Sequence, residues 1–305
     1  MYDLIGDIHG HAAALVELLK HLGYQHSDSG YCHPVRKVIF LGDFIDRGEH
    51  LAQHKELLAI VMPMVRNGHA LAVMGNHEFN ALAYHTEVNG LFLRAHTEKN
   101  RKQHKAFLNE FDEDSEAKNE VLDFFYELPM WLELDGLRVV HACWDNDAVE
   151  FLAMHREGSR MTPDLLARAS TEGTPEFKAV ETLLKGHEIP LPEGVSFADK
   201  DGNVREWIRV QWWKSEATAL GDIALPFGIE LGDAANSPLP QGIPRYDASD
   251  KPCFIGHYWL SGDPEPLAEN VACLDYSIAK NGKLVAYRWS GESRLTRSNF
   301  AFRTA

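Results

Sequence analysis

Short apolar runs recur along the chain, and each is followed at once by a glycine or a polar residue. The runs are Tyr2–Ile5, Val38–Leu41, Leu71–Met74, Leu137–Val140 and Cys253–Ile255. Continuous apolar runs of this length are typical of strands that are buried on both faces. The pattern therefore predicts five buried strands, which are spread over most of the chain.

Helical patterns lie between several of these runs. Residues His11–Leu22 place four leucines on one helical face, and Gly23 follows in the position of a C-cap. Residues Leu51–Val65 predict a second helix, and Phe92–Leu128 predicts two or three more. Strands that alternate with helices predict an α/β layered fold, in which the functional site lies at the carboxyl ends of the strands.

The strand pattern is absent from the long stretch between His141 and His257. Its first part, Asp145–Leu184, has a helical and charged pattern. Its last part, Leu225–Tyr246, is rich in proline and glycine, which favours an irregular connection. We interpret residues of about 145–250 as a cap-like insertion beside the site.

The part of the chain after the insertion returns to a strand pattern. Residues Val271–Trp289, with a turn at Asn281-Gly282, are predicted to form closing strands of the core. A length of 305 residues suits one large domain with a substantial insertion. We therefore predict a single domain over residues 1–305, with the closing strands at about 271–289.

Composition narrows the class of protein. An apolar fraction of 45% suits a globular core, and no segment has the apolar length that a transmembrane helix needs. The chain enters an apolar strand at once, without a basic n-region, so a cleaved secretory signal is not expected. Four cysteines without a CxxC pair fit reduced thiols, and we predict a cytoplasmic protein. The net charge of −15 argues against tight binding to a nucleic-acid backbone, although bound cations can still attract an anionic substrate.

Polar residues that can bind metals follow the predicted strands. Asp7-Ile8-His9 follows the first strand, Gly42-Asp43 opens a Gly-Asp-x-x-Asp-Arg-Gly motif, and Gly75-Asn76-His77-Glu78 follows the third strand. Two further strand-end histidines are His141 and His257. Each motif alone fits a helix cap or a surface cluster, whereas the ordered set at five strand ends indicates one shared site.

This ordered set resembles the calcineurin-like metallophosphoesterase superfamily. The Asp-Arg-Gly and Asn-His-Glu motifs, at positions 46–48 and 76–78, place the resemblance near the branch of phosphoprotein phosphatases and bacterial dinucleoside tetraphosphatases. The resemblance covers residues 1–141 and about 253–289, and much less of the insertion. It implies a metallophosphoesterase-type β-sandwich flanked by helices, and an enzyme that hydrolyses phosphate esters with two divalent metal ions.

The chemistry of phosphoester hydrolysis explains these residue types. Two divalent ions ~3.5–4 Å apart clamp the phosphate and lower the pKa of a shared water, so that a bridging hydroxide becomes the nucleophile. Asp43 is the candidate bridging carboxylate. The other predicted ligands are Asp7 and His9 for the first ion, and Asn76, His141 and His257 for the second. A mixed oxygen and nitrogen set suits manganese, iron or zinc, of which we favour manganese, and a neutral Asn76 leaves the centre positively charged.

Three further motif residues have predicted catalytic roles. His77 would protonate the leaving oxygen, Asp46 would orient and charge His77, and Arg47 would bind two phosphate oxygens through its planar fork. The family resemblance implies the same three roles. The chain departs from the family pattern at Trp259, where many members have another histidine, and the first metal is therefore left with three protein ligands. Asp275 either supports a ligand histidine or is an ordinary surface residue.

The insertion contains a second set of candidate substrate contacts. A hairpin is predicted between Val195–Ala198 and Val204–Trp213, with its turn at Asp201-Gly202. On the second strand one face combines arginine and tryptophan side chains that suit a phosphate and a nucleotide base; these residues are Arg205, Trp207, Arg209, Gln211 and Trp213. The alternative, which we favour, is a half-buried hairpin whose tryptophans pack on the core and whose arginines face solvent.

The predicted function is dimetal-dependent hydrolysis of a nucleotide-type or small phosphoester, such as a dinucleoside tetraphosphate. A phosphoserine or phosphothreonine protein phosphatase, with a phosphoprotein as partner, is the alternative within the same chemistry. A catalytically inactive metal-binding scaffold is expected to lack the acid or a ligand, and none is missing from the sequence. A nucleic-acid-binding module fits worst, because the chain is acidic and lacks Lys/Arg clusters. No membrane partner is expected.

Overall fold

The computed structural model describes residues 1–47, 53–111, 115–154, 158–198 and 203–304. The helices within these ranges are α1 Ala12–Leu22, α2 His54–Arg66, α3 Asn76–His85, α4 Glu98–Glu110, α5 Glu116–Glu127, α6 Asn146–Met154, α7 Pro163–Ala169, α8 Pro175–Lys185 and α9 Leu220–Ile223. Short 3₁₀ segments are Gly232–Asn236, Ile278–Lys280 and Arg297–Asn299.

All five predicted strands form, with ends that differ from the prediction by no more than about two residues. The strands are β1 Tyr2–Ile5, β2 Gln25–Ser27, β3 Gly30–Cys32, β4 Lys37–Phe40, β5 Ala70–Ala72, β6 Glu87–Val88, β7 Leu91–Phe92, β8 Trp131–Glu133, β9 Arg138–Val140, β10 Glu188–Pro190, β11 Phe197–Ala198, β12 Val204–Arg205, β13 Trp207–Val210, β14 Ala224–Leu225, β15 Cys253–Ile255, β16 Val271–Cys273, β17 Asp275–Tyr276, β18 Lys283–Trp289 and β19 Phe300–Thr304.

Two sheets carry the predicted strands. The first has the order β17-β18-β1-β4-β5, with β19 paired to β18, and the second has the order β16-β15-β9-β8. The pairs β1–β4, β4–β5, β9–β15 and β15–β16 are parallel. Parallel neighbours end at the same edge of a sheet, so the segments after β1, β4 and β5 lie together, as do those after β9 and β15.

Alternate residues of these strands face two different hydrophobic cores. Leu4 and Ile39 of the first sheet share one core with Val139 and Phe254 of the second. Their chain neighbours, such as Phe40, belong to the other core, together with the leucines of the helices. Strands that are buried on both faces need continuous apolar runs, which explains the sequence pattern. The predicted fold class, an α/β layered β-sandwich flanked by helices, is confirmed.

The helix predictions are confirmed in outline. Helix α1 ends at Gly23, whose φ of 93° is the left-handed conformation expected of a C-cap glycine. Helix α2 begins at His54, and the predicted start at Leu51 lies outside the described residues. Helices α4 and α5 occupy the predicted region Phe92–Leu128, and α6, α7 and α8 occupy the first part of the insertion. Helix α3 was not predicted. Its first turn consists of the Asn-His-Glu motif, which the sequence pattern placed in the segment after a strand.

The insertion forms its own small sheets. Strands β11 and β12 pair as a hairpin, whose predicted turn at Asp201-Gly202 lies outside the described residues. The prediction of one strand over Val204–Trp213 was wrong, since pairing breaks at Glu206 and β13 then pairs with β10 and β14. The division of the chain into one domain with an insertion stays a prediction. Within the described ranges, no helix has both the length and the apolar character needed to cross a bilayer.

Candidate metal centre

The six predicted metal ligands all follow strand ends, and all six are buried. Asp7 and His9 follow β1, Asp43 follows β4, and Asn76 begins α3 just after β5. The other two ligands, His141 and His257, follow β9 and β15 of the second sheet. The two sheet edges therefore bring together residues that lie as far as 250 positions apart in the chain, as the contact between Asp7 and His257 shows.

Asp43 lies at the middle of this group. Its Oδ2 is 3.7 Å from Nε2 of His9 and 3.4 Å from Nε2 of His141. Two sets of side chains have ligand atoms that all lie within 4.8 Å of one another; these sets are His9, Asp43 and His77, and Asp43, His141 and His257. Asp43 is the member common to both sets, which is the arrangement that a bridging carboxylate requires.

Hydrogen bonds orient the ligand histidines. His9 donates from Nδ1 to the Ile45 carbonyl at 2.9 Å, and His141 donates from Nδ1 to the Leu41 carbonyl at 2.7 Å. Both rings therefore turn Nε2 towards Asp43, as in metal sites where the second ring nitrogen is held by a carbonyl. The ring of His257 has Nδ1 2.8 Å from Oδ1 of Asn76, and its Nε2 is buried without a hydrogen-bond partner.

The buried ligand atoms around Asp43 fit a metal ion. The Asn76 amide oxygen lies 3.3 Å from Nε2 of His141 and 2.8 Å from Nδ1 of His257, and the ligand atoms of Asp43, His141 and His257 all lie within 4.8 Å of one another. Mixed oxygen and nitrogen sets of this kind suit divalent transition metals. Asp7 belongs to neither set of ligand atoms, and its carboxylate accepts a hydrogen bond from the backbone N–H of His257 at 3.1 Å.

The backbone is strained at this site. Six of the nine non-glycine residues with positive φ in the described ranges belong to it: His9, Asp43, Asp46, Arg47, His257 and Trp259. Left-handed conformations of such residues cost free energy and cluster at functional sites. The preceding glycines are needed as well, because a Cβ at Gly256 would collide with Oδ1 of Asp7 and one at Gly75 with Oδ1 of Asp43.

Burial and neighbouring charges shift the pKa values of these groups in opposite directions. Burial raises the pKa of Asp7 well above its usual range, and the charge of Asp275 adds to the effect. Burial also acts to raise the pKa of Asp43, but His141 and His77 outweigh it and hold that pKa well below the usual range. Burial lowers the pKa of His9 to about 3. Asp43 thus stays charged beside His9, whose neutral imidazole can bind a cation. Burial acts to lower the pKa of His141, but the charge of Asp43 outweighs it and raises that pKa to about 10.

The predicted acid and its orienter are in hydrogen-bond contact. Nδ1 of His77 lies 2.9 Å from Oδ2 of Asp46, and both side chains are buried. Nε of Arg47 lies 3.3 Å from Nε2 of His77, so the guanidinium is beside the acid. His77 also donates its backbone N–H to Oδ1 of Asp43 at 3.0 Å. The structure therefore joins the predicted acid, its orienter and the candidate bridging carboxylate in one network.

Glu78 is a site residue for which sequence reasoning gave no role. Its buried carboxylate accepts the backbone N–H groups of Asp43, Phe44 and Gly75 at 2.8–2.9 Å. These bonds tie the loop after β4 to the start of α3. Burial, with the charge of Asp43, raises the pKa of Glu78 to about 7. The sequence signal for this structural role was the position of Glu78 as the last residue of the Asn-His-Glu motif.

A cleft of about 500 Å³ opens over the cluster. Its walls carry six cationic side chains, namely Arg47, Arg94, Lys99, Lys185, Arg205 and Arg209. Arg94 and Lys99 were not predicted from the sequence as cleft residues. Lys99 lies in a mixed charge run that is typical of a solvated helix face. The insertion supplies Lys185, Arg205 and Arg209, so it forms one wall of the cleft. The acidic side chains that line the cleft include Asp46 and Glu181.

The tryptophans of the insertion do not line this cleft. Trp207 is 55% exposed and is absent from the lining, whereas Trp213 is buried. The face of arginines and indoles therefore does not extend to Trp213, which packs into the core as the favoured interpretation predicted, because β13 ends at Val210. The ring of Trp213 packs edge-on against that of Tyr258, with centroids 5.3 Å apart.

The packing around Trp259 tests the two alternatives for Asp275. Asp275 is buried and accepts the backbone N–H groups of Trp259 and Ser277 at 2.7 and 2.9 Å, so it is neither a surface residue nor bonded to a ligand histidine. The Trp259 ring lies 6.1 Å from the His9 ring, and the Arg47 guanidinium lies 5.1 Å over it. Trp259 thus forms an aromatic support for the predicted phosphate clamp.

Comparison with known proteins finds relatives for part of the chain. The asymmetrical bis(5'-nucleosyl)-tetraphosphatase PrpE of Halalkalibacterium halodurans is 40% identical over 77 residues, which are 25% of this chain and 30% of that protein. The protein of the same name from Oceanobacillus iheyensis is 28% identical over 141 residues, 46% of this chain and 54% of that protein. The chain thus matches about a third to a half of the length of these relatives.

A solved structure supports the fold. A serine/threonine protein phosphatase from Saccharomyces cerevisiae matches with a TM-score of 0.51 and 13% identity, over 99% of this chain and 78% of that one. At this identity the likeness concerns the fold alone. The family model described as calcineurin-like phosphoesterase matches residues 2–213, which is more than half of the chain. The chain therefore belongs to the calcineurin-like phosphoesterase family.

Proposed function

We propose that this chain is a dimetal-dependent phosphoester hydrolase whose substrate is a nucleotide-type polyphosphate, with a dinucleoside tetraphosphate as the favoured example. One observation carries the proposal: six cationic side chains line a cleft over the Asp43 and histidine cluster, in a chain with a net charge of −15. An acidic protein that concentrates positive charge in one cleft is built to bind an anion there.

The ligands in this proposal are those of the sequence prediction. Asp43 would be shared, with Asp7 and His9 on one side and Asn76, His141 and His257 on the other. When bound, the two ions would provide a nucleophile from water at neutral pH and neutralise charge on the phosphoryl oxygens. Manganese is our first choice because the ligands mix oxygen and nitrogen atoms, and iron or zinc would suit the same set.

Side chains of the protein would assist departure of the leaving group. His77 donates from Nδ1 to Asp46. Its Nε2 accepts from Nε of Arg47 in this structure, and it would carry the proton for the leaving oxygen once Arg47 turns to the phosphoryl group. Asp46 fixes the orientation of the ring and stabilises its charged form. Arg47, 3.3 Å from Nε2 of His77, would hold two oxygens of the phosphoryl group in reach of that proton.

The number of cations favours a polyphosphate over a single phosphoryl group. One phosphoryl group needs the metal centre and Arg47, yet the cleft carries five more cations on two walls. Arg94 and Lys99 belong to the wall near α4, and the others belong to the insertion. The relatives named as tetraphosphatases support the same substrate class. A phosphoserine or phosphothreonine protein remains the alternative substrate of the same centre.

The test is a comparison of substrates with the full chain. We expect manganese-dependent hydrolysis that EDTA abolishes, with kcat/KM for a dinucleoside tetraphosphate above that for a phosphoserine peptide and for p-nitrophenyl phosphate. A higher kcat/KM for the phosphopeptide would contradict the nucleotide substrate and favour a phosphoprotein as substrate. Absence of turnover with manganese, iron, zinc or magnesium, from folded protein that binds metal, would contradict the enzyme and favour an inactive scaffold.

A further inference from the structure

A second histidine contacts the carboxylate of Asp46. His104, in α4, is buried, and its Nδ1 lies 3.0 Å from Oδ1 and 3.3 Å from Oδ2 of Asp46. Nδ1 of His77 lies 2.9 Å from Oδ2 of the same carboxylate. An ionised carboxylate only accepts hydrogen bonds, so both histidines must donate from Nδ1. Asp46 therefore sits between two ring donors, of which His77 is the one grouped with the candidate metal ligands His9 and Asp43.

The hydrogen-bond chain continues beyond His104. Its Nε2 lies 3.2 Å from Nε2 of His85, the last residue of α3. When His104 is neutral with its proton on Nδ1, its Nε2 accepts, and His85 must donate. Burial lowers the pKa of His85 to about 3, so His85 is neutral near pH 7 and has one donor and one acceptor nitrogen. A neutral His85 with its proton on Nε2 is compatible with the His104 tautomer that Asp46 requires.

Packing holds the His104 ring in place. The ring stacks on the fully buried Phe107, with centroids 4.7 Å apart and planes inclined by 16°. The ring of Tyr84 lies 5.1 Å away on a tilted plane. Rings in a close-packed interior have few alternative rotamers, so the donor atom of His104 has a fixed position. A fixed donor is what an orienting group needs.

We propose that His104 is a positioning residue for the general acid: it locks the Asp46 carboxylate in the orientation that aligns His77, and the contact with His85 holds the other nitrogen of the His104 ring. The inference rests on the proposed function. A carboxylate with one partner can turn about its side-chain bond, whereas one with a donor on each oxygen cannot turn without losing a hydrogen bond. Burial acts to raise the pKa of Asp46, but His104 and His77 outweigh it and hold that pKa below its usual range.

Kinetics with two leaving groups test the role. In His104→Leu we expect kcat to fall roughly 10–100-fold, the loss typical of residues that orient a catalytic group, with KM within about twofold of wild type. The loss should be greater for phenyl phosphate than for p-nitrophenyl phosphate, because the poorer leaving group depends more on an aligned acid. His104→Asn, which keeps an N–H donor close to Asp46, should recover most of kcat. His85→Phe should lose less than His104→Leu.

The matched control is His96→Leu. His96 is half-buried, and its ring stacks on that of Tyr84, which the His104 ring also contacts. Unlike His104, it is hydrogen-bonded to the Tyr84 carbonyl and not to Asp46. We expect wild-type kinetics from this variant. Wild-type kcat in His104→Leu, or an equal loss for both leaving groups, would overturn the inference while the proposed function stands.

A spectroscopic readout separates the two proposals. Nitrogen-15 NMR of the histidine rings, on the full chain with and without added zinc, reports which ring nitrogen carries the proton. We expect His104 to be protonated on Nδ1, and the Nδ1 proton signal of His77 to shift in His104→Leu. A neutral His104 protonated on Nε2 would overturn the inference. A wild-type chain that hydrolyses none of the substrates would instead overturn the proposed function, and these spectra would still decide whether His104 orients Asp46.

Discussion

The floor and the insertion wall of the cleft are built in different ways. The floor consists of the predicted metal ligands, which are buried and follow strands of two sheets. Hydrogen bonds to backbone groups hold several of them, as the Leu41 carbonyl holds His141. The insertion wall consists of long cationic side chains, such as Arg205 and Arg209, on strands of two to four residues. Arg205 is exposed and Arg209 is half-buried.

This difference separates the reaction from substrate choice. Floor residues have little freedom, because moving one of them breaks buried hydrogen bonds and leaves charges without partners. Wall residues are more exposed, so we expect a changed arginine there to alter which phosphates are held more than it disturbs the metal ligands. We expect substitutions in the floor to abolish turnover and substitutions in the wall to change KM, and the predictions below test this division.

The largest effect is expected from Asp43→Asn. Asp43 is common to both sets of ligand atoms, so its loss should reduce the binding of both ions. We expect kcat to fall at least about a thousandfold, since the ions supply several kcal/mol of charge stabilisation. Metal content by mass spectrometry should fall in parallel. Asp263→Asn, which removes an exposed carboxylate far along the chain, is the control, and normal metal content in Asp43→Asn would refute the shared-ligand assignment.

His77→Ala should cost somewhat less. The side chain is predicted to give a proton and to leave the ions in place, so kcat should fall roughly 10²–10³-fold with unchanged metal content. The loss should be most severe for poor leaving groups. Because Nε2 of His77 also lies 3.9 Å from Oδ2 of Asp43, a drop in bound metal would show instead that this histidine helps to hold an ion.

The sequence predicted the floor because strand order decides where its residues lie. Each apolar run ended near the position that the pattern indicated, and parallel pairing then brought the following residues to one edge. Glu78 was visible in the motif, but its three backbone partners depend on how two loops approach each other. His104 had no sequence signal at all, since it reaches Asp46 only through the packing of α4.

The wall was harder to predict for the same physical reason. Its strands are only two to four residues long and leave a weak sequence pattern, and a strand that stops at Val210 moves every later side chain off the expected face. Alternation put Trp213 beside the arginines, whereas packing buried it. Lys99 was hidden within a mixed charge run whose appearance is that of an ordinary solvated helix. Sequence periodicity thus places residues within an element, and tertiary contacts decide what the element faces.

Arg209→Ala is the next test, because Arg209 lines the cleft from the insertion side. We expect KM for a dinucleoside tetraphosphate to rise roughly tenfold, the effect of losing one charge-assisted hydrogen bond, with kcat nearly unchanged. Hydrolysis of p-nitrophenyl phosphate should be unaffected, since its single phosphoryl group needs only the floor. Arg101→Ala removes an exposed arginine that lies outside this cleft and should change neither value. A lower kcat with an unchanged KM would mean that the insertion takes part in the reaction itself.

The smallest effects should come from two tryptophans of the insertion. Trp212 is buried and donates from Nε1 to the Ala142 carbonyl at 3.1 Å, next to His141 of the floor. Trp212→Phe should lower the free energy of unfolding by about 1–2 kcal/mol, because a buried donor and part of the ring are lost.

Trp207 is 55% exposed and lines no wall of the cleft, so Trp207→Ala should change that free energy by less than about 0.5 kcal/mol and leave KM for a dinucleoside tetraphosphate within about twofold. Chemical unfolding and steady-state kinetics on the two variants measure both quantities. A large rise in KM for Trp207→Ala would mean that the insertion moves when substrate binds and brings this indole to the base. The wall would then be a mobile element, and its difference from the fixed floor would be greater than the present geometry indicates.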